Sequence, residues 1–359
     1  MPMVTKIKSY RAQFPQWLHA ETGIAPLVVF RIIFGLMMFA GTVRFWAKGW
    51  IDALFIQPDN FFHYYGFEWV KPMGEFGMYT VFTLLLISSL FIALGLFYRF
   101  ASVLYFVLFT YVELIDISNY LNHYYFISLV AFLMCFLPAN RSFSVDVWRR
   151  PNIAVQKVSN WTLAALKFQL ALVYFFAGVA KLNPDWLFDA MPMSIWLQAK
   201  THWPIVGHLF VEKWVAYSFS WMGCIFDLTV VFFLLSKRSR PFAYLALVVF
   251  HVITGIMFPI GMFPWIMILA TLIFFSTAFH EKIIIFIHSK LNVKVQSSIG
   301  DNSLVLHGFK KKFLTGFLLT YVFFQMLFPF RYLLYPGDLF WTEQGYRFSW
   351  RVMLMEKAG

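Results

Sequence analysis

Few residues in this chain have reactive side chains, and those that matter sit in or beside long apolar runs. Lys181 closes the run YFFAGVAKLNPDWL (174–187), and His123 lies in DISNYLNHYYF (116–126) next to Asn122. His251, Asp227 and Arg31 each interrupt an apolar stretch. An ionisable group at membrane depth is costly, so each is a functional candidate until a partner accounts for it. Lys181 has two readings. Its amine either snorkels to the membrane boundary, toward Asp185, or is held among aromatic rings, where burial disfavours the ammonium and leaves a neutral amine able to act as a base. Pro184 disfavours helical geometry at Asn183, which argues against a simple i,i+4 pair with Asp185.

His123 reads equally as a hydrogen-bonded cap between two spans and as a functional histidine. His251 is expected to be satisfied by a neighbouring carbonyl, and Asp227 to pair with Arg31 or His251. Arg31 is expected to pair internally. The segment FPIGMFPW (258–265) cannot continue a helix through Pro259, Gly261 and Pro264, so it reads as a pocket wall or a tight hairpin. H-E-x-x-H, GxGxxG, P-loop and Gly-x-Ser-x-Gly patterns are absent, and Cys135 and Cys224 form no CxxC motif, so no metal is expected.

The elements that must position these groups are set by composition. Of 359 residues, 60% are hydrophobic and only 13% are charged, which excludes both a soluble globular domain and a disordered chain. The expected fold class is all-α: a multi-pass integral membrane helical bundle in the lipid bilayer. About nine transmembrane helices are expected, near 25–43, 79–97, 101–115, 124–138, 162–181, 215–235, 242–258, 264–279 and 314–330, with the third, fourth and eighth short. If the N-terminus is cytoplasmic, 17 of the 29 Lys and Arg residues fall on inner segments and two outer loops carry none. That alternation favours an N-in/C-out arrangement and explains the net charge of +12 by topology, with no nucleic acid partner. It also puts Lys181, His123 and the C-terminal tail on the outer side. Three further segments stand out. The aromatic loop 44–78 reads as an interfacial cap, residues 186–200 as a helix lying along the outer surface, and the polar stretch from Gln296 to Ser303 as a flexible loop.

Several segments, in order along the chain, carry a family resemblance. AGVAKLNPDW (177–186) resembles the AGVKKLDADW segment of vitamin K-dependent gamma-carboxylases. VVFRIIFGLMM (28–38), ALGLFYRFAS (93–102), NHYYF (122–126), SVD (144–146), FDLTVVFFL (226–234), FH (250–251), IGMF (260–263) and WTEQGYRFSW (341–350) are similar to further segments of that family. The broader group is the HTTM domain, with bacterial homologues the closer likeness.

The resemblance implies that a lysine amine deprotonates a reduced naphthoquinone, reduced vitamin K. The quinone reacts with dioxygen and becomes its epoxide, and the strong base so formed removes a glutamyl γ-proton. The resulting carbanion takes up carbon dioxide. By the same resemblance Lys181 is the base and His123 supports it. Asn122, Tyr346, His251, Met262, Phe263 and Trp350 contact the quinone. The partners implied are an isoprenoid quinone and a Glu-containing protein or peptide, and the location is a bacterial inner membrane with the site on its extracytoplasmic side. Ala180 departs from the family's first lysine, and Arg351 stands where vertebrate members carry an acid. Residues 1–335 are expected to form the HTTM-type transmembrane domain. Residues 336–359 are expected to be the strand-like start of an extracytoplasmic domain otherwise missing. Two other readings stay open: a quinone-binding or quinone-oxidising membrane protein that carboxylates nothing, and a non-enzymatic membrane module.

Overall fold

The computed structural model describes residues 14–291, 302–305 and 308–355. Among these, ten helices carry the architecture: α1 Ala25–Ala47, α2 Gly74–Leu94, α3 Tyr98–Ile115, α4 Asn122–Met134, α5 Trp161–Ala180, α6 Lys213–Leu235, α7 Arg240–Met257, α8 Phe263–Ala270, α9 Thr277–Leu291 and α10 Gly308–Leu327. The chain divides into two compact units. Unit 1 takes Met1–Phe168 and Leu269–Gly316, and unit 2 takes Gln169–Ile268 and Phe317–Gly359.

The all-α, multi-pass reading holds, and each expected span falls on a helix. Among the described residues, seven helices are long and apolar enough to cross a membrane, or eight if one bent pair counts as a single span. Two expected spans differ from the pattern. The fourth is only the 13-residue α4, about 20 Å long against a hydrocarbon core of about 30 Å. Its buried Phe126, Ile127, Val130 and Met134 pack inside unit 1. The eighth is broken: Phe263–Phe274 and Thr277–Lys290 are bent by 117°. Phe275 is extended there (φ −69°, ψ 167°), and Ser276 Oγ accepts from Phe279 N at 3.3 Å to start α9.

In unit 1, α1 packs on α2, α2 on α3, α3 on α4, and α9 on α1. Gly35 makes the α1–α2 approach possible, because a Cβ there would lie 2.4 Å from Ala93 N. The α2–α3 turn is a knot that several of the resembling segments build together. Gly95 (φ +64°) ends α2 with Gly95 N donating to Ile92 O (3.1 Å) and Leu96 N donating to Phe91 O (2.9 Å), a Schellman closure. A side chain at Gly95 would strike the Arg31 guanidinium and Ser144. Asp146 accepts from Phe97 N (2.9 Å), Tyr98 N (3.1 Å) and Asn140 Nδ2 (2.7 Å), capping α3. Arg31, 1% exposed, donates to Ala139 O (2.8 Å), Phe143 O (2.5 Å) and Ser142 O (3.4 Å). Arg31 therefore pairs internally, with backbone carbonyls and not with Asp227.

Three short strands add a feature that the helical reading did not contain. β1 Glu21–Gly23 pairs antiparallel with β2 Lys157–Ser159, and β2 pairs parallel with β3 Ser303–Leu304. The polar stretch 296–301 lies outside the described residues.

In unit 2, α6 packs on α7 and on the short helices Pro184–Leu187 and Met193–Gln198. Trp186, Met193 and Leu197 join the unit's buried core, so 186–200 does not lie wholly along a surface, although Met191 and Ile195 remain exposed. The expected strand-like tail is instead a helical turn, Leu339–Thr342, followed by successive turns. Asp338 starts that turn by accepting from Phe340 N at 2.7 Å.

Candidate functional site

A glycine sets the geometry of the site. At Gly178 a Cβ would lie 2.8 Å from Leu228 N, so only glycine lets α5 and α6 cross this closely. The crossing brings Lys181, just past the end of α5, beside Asp227 on α6. Side chains tilt toward a helix's N-terminus, so the lysine folds back along α5 instead of reaching outward. Its Nζ donates to Asp227 Oδ2 at 2.7 Å and to Ala177 O at 3.3 Å. Both side chains are 7% exposed, so this is a buried ion pair. The partner expected for Asp227 was Arg31 or His251, and the structure replaces both with Lys181.

Trp186 closes one side of the lysine, its ring centroid 5.3 Å from Nζ. The indole is fixed from both ends. Asn183 Oδ1 accepts from Trp186 N at 2.9 Å, and Trp186 Nε1 donates to Ser220 O at 2.8 Å. Ser220 Oγ donates back to Trp186 O.

A second polar pair lies seven residues earlier on α5, two turns or about 10 Å along the same face. Tyr174 OH and His251 Nε2 share a hydrogen bond of 2.8 Å. His251 is 1% exposed, and its Nδ1 has no partner among the described residues. The neighbouring carbonyl expected to satisfy His251 is therefore a phenol. Phe263 meets the imidazole edge-on, with centroids 5.8 Å apart. Gly255 lies against Pro264, and Gly261 (φ +64°) turns the chain between α7 and α8.

Both pairs face one cavity of about 350 Å³ in unit 2. Apart from them its walls are almost wholly apolar, with Ala177, Phe226, Phe250 and Met267 among them. Met222, Val249 and Ile253 line it as well and are 69%, 50% and 42% exposed on α6 and α7. The cavity is thus open sideways between those two helices. FPIGMFPW, with Phe258, Ile260 and Phe263 on the lining, is a pocket wall.

The other expected site residues are placed as follows. His123 is buried at the start of α4 in unit 1, its ring 4.5 Å from Tyr124, and Asn122 Oδ1 accepts from Tyr120 OH at 3.1 Å. Tyr346, Met262 and Trp350 belong to unit 2 but are not among the residues lining the cavity. Trp350 is fully buried. Tyr346 is half-buried, and burial pushes its phenol up to about 12, opposed by the Arg351 guanidinium. Two tail residues the sequence reading passed over, Val352 and Met353, do line the cavity. Tyr174 was also missed as a polar partner, although its i,i+7 spacing from Lys181 was a usable signal. Among the described residues no cluster of three His, Cys, Asp or Glu side chains could hold a metal ion.

Fold and site together define an all-α, multi-pass membrane protein with a buried lysine–carboxylate pair in an apolar cavity that opens between two helices. The HTTM domain matches residues 19–279, most of the chain, and the lumenal domain of vitamin K-dependent gamma-carboxylase matches residues 310–359. The chain belongs to the HTTM domain family, and the two matches in succession place it with the gamma-carboxylases. No solved structure matches it.

Proposed function

We propose that this chain is a gamma-carboxylase-like membrane enzyme that uses a reduced isoprenoid naphthoquinone, with Lys181 as the base. One observation carries the reading: the Lys181 amine sits on the wall of an apolar cavity and is paired with a single carboxylate. The residues suit such a quinone. The cavity is within the usual 300–1,000 Å³ of ligand pockets. It offers apolar walls for a ring system and a polar pair at each end, and one of those pairs carries an unpartnered imidazole nitrogen, His251 Nδ1. Its sideways opening gives a lipid-dissolved molecule a way in.

When bound, the quinone would supply the oxidisable hydroxyls whose reaction with dioxygen generates the strong base for glutamyl deprotonation. The protein's own part is proton handling, orientation and dryness. Lys181 and Asp227 together carry no net charge, so a proton can pass from Nζ to Oδ2 without leaving net charge buried. With the proton on Asp227, Nζ is a neutral amine with a free lone pair, able to take a hydroxyl proton. Ala177 O and the Trp186 ring hold Nζ in place for that transfer. Tyr174 and His251 position the far end of the ring, and the apolar walls exclude the water that would quench a strong base.

The test supplies the purified chain with reduced vitamin K, labelled bicarbonate and a Glu-containing peptide. Label in the peptide together with epoxide supports the proposal. Epoxide without label reduces the chain to a quinone-oxidising protein, and the absence of both products refutes the reading.

A further inference from the structure

Unit 1 contains a second cavity, of about 300 Å³, that the proposed reaction does not use. It lies where the C-terminal ends of α1 and α3 meet the start of α4. Phe45, Trp50, Phe55 and Tyr124 contribute aromatic walls, and Glu113 contributes a carboxylate. The rings are held against one another: Phe45 lies 5.2 Å from Trp50 and 6.4 Å from Tyr124, centroid to centroid. Glu113 makes no hydrogen bond or ion pair among the described residues. A carboxylate in that position is doubly unfavourable, because it is partly withdrawn from water and sits in the last turn of α3, where the helix dipole already presents negative charge.

We infer that this cavity is a binding site for an organic ammonium group. Three independent features favour a cation there: the Glu113 carboxyl, which can ionise against one, the carbonyl end of α3, and the π faces of the surrounding rings, which attract cations. A cation there answers all three, whereas a neutral donor leaves the ring faces unanswered and an anionic ligand answers none. Arg44 shows the same preference locally, with its guanidinium 4.7 Å over the Trp50 ring, but it forms no ion pair with Glu113. At about 30 Å³ per water, the space would hold about ten waters, enough for a substituted ammonium. The group could arrive as a free amine or as an ethanolamine or choline lipid headgroup, since the cavity lies at the ends of membrane-length helices.

The experiment uses the full chain in two settings. In detergent, thermal unfolding is followed against choline, ethanolamine and sodium chlorides at equal ionic strength. In nanodiscs, phosphatidylethanolamine is compared with phosphatidylglycerol. The expected result is a saturable rise in Tm with the organic cations and not with sodium. Glu113→Gln should weaken apparent affinity by roughly tenfold or more, and Trp50→Leu by roughly threefold or more. A Glu113-dependent gain in phosphatidylethanolamine discs assigns the site to a lipid headgroup, and a gain with soluble amines alone assigns it to a free amine. Equal response to sodium, or unchanged ammonium affinity in both variants, overturns the inference. If Glu113→Gln does not fold, Trp50→Leu decides the matter. Failure of the carboxylation assay leaves this inference standing, because the two rest on different residues.

Discussion

Cutting the Lys181–Asp227 pair from one side and then from both tests the heart of the site. The two groups are 2.7 Å apart and almost fully buried. Asp227→Leu leaves an ammonium without its counter-charge in an apolar cavity, and Lys181→Met leaves a lone carboxylate. Breaking a buried pair from one side costs about 3–5 kcal/mol. Replacing both partners by apolar residues of similar volume is often neutral or stabilising by about 1–4 kcal/mol. The double variant Lys181→Met/Asp227→Leu should therefore be more stable than either single variant, with a coupling energy of about 3 kcal/mol or more. The assay is chemical denaturation in detergent of all four proteins, followed by tryptophan fluorescence, with a parallel measurement of epoxide yield. All three variants should lose epoxide formation, so the stability cycle separates structure from chemistry. Additivity to within about 0.5 kcal/mol would mean that the two groups do not interact, and the reasoning about the site would fail.

Three further outcomes follow from other parts of the structure. Met222→Trp narrows the opening between α6 and α7, so KM should rise several-fold for a long-tailed reduced quinone and stay unchanged for one with no tail; equal effects on both would remove the side opening from the account. Arg31→Met strands three carbonyls at the α2–α3 knot and should destabilise unit 1 by about 3 kcal/mol or more, read as earlier proteolysis of its loops, while a near-neutral effect would contradict the knot's structural role. The Tyr346 phenol, held up to about 12 first by burial, keeps its proton in the folded state where an exposed tyrosine has lost it. Its contribution to stability is full below about pH 10 and is lost as pH rises toward 12. The absorbance difference between wild type and Tyr346→Phe should show tyrosinate appearing near pH 12, and a step near pH 10 would refute the burial argument.

Much of the fold was legible because a membrane helix advertises itself: about 20 apolar residues in a row have few other uses. α4 and the eighth segment were harder for the same reason. Apolar composition reports burial without saying whether lipid or protein provides it, so the 13-residue α4 looks like a shortened span. No proline or glycine marks the break at Phe275–Ser276, and a serine cap does the work. Strands of two or three residues such as β3 carry too few positions to show a period.

At the site, the value of Lys181 was visible from its apolar surroundings, but its partner was not. Asp227 is 46 positions away, and the pairing depends on a close α5–α6 crossing at Gly178 and on the backward tilt of the lysine side chain. Tyr174 was hidden differently: among so many aromatic residues, one more tyrosine reads as packing.

The central claim, that the Lys181 amine acts as the base, is tested most directly by epoxide formation from reduced vitamin K under dioxygen. Wild type, Lys181→Ala and Tyr346→Phe are compared at equal amounts of folded, membrane-inserted protein. The account predicts epoxide from wild type and none above background from Lys181→Ala. Normal epoxide yield from the Lys181→Ala protein would contradict it.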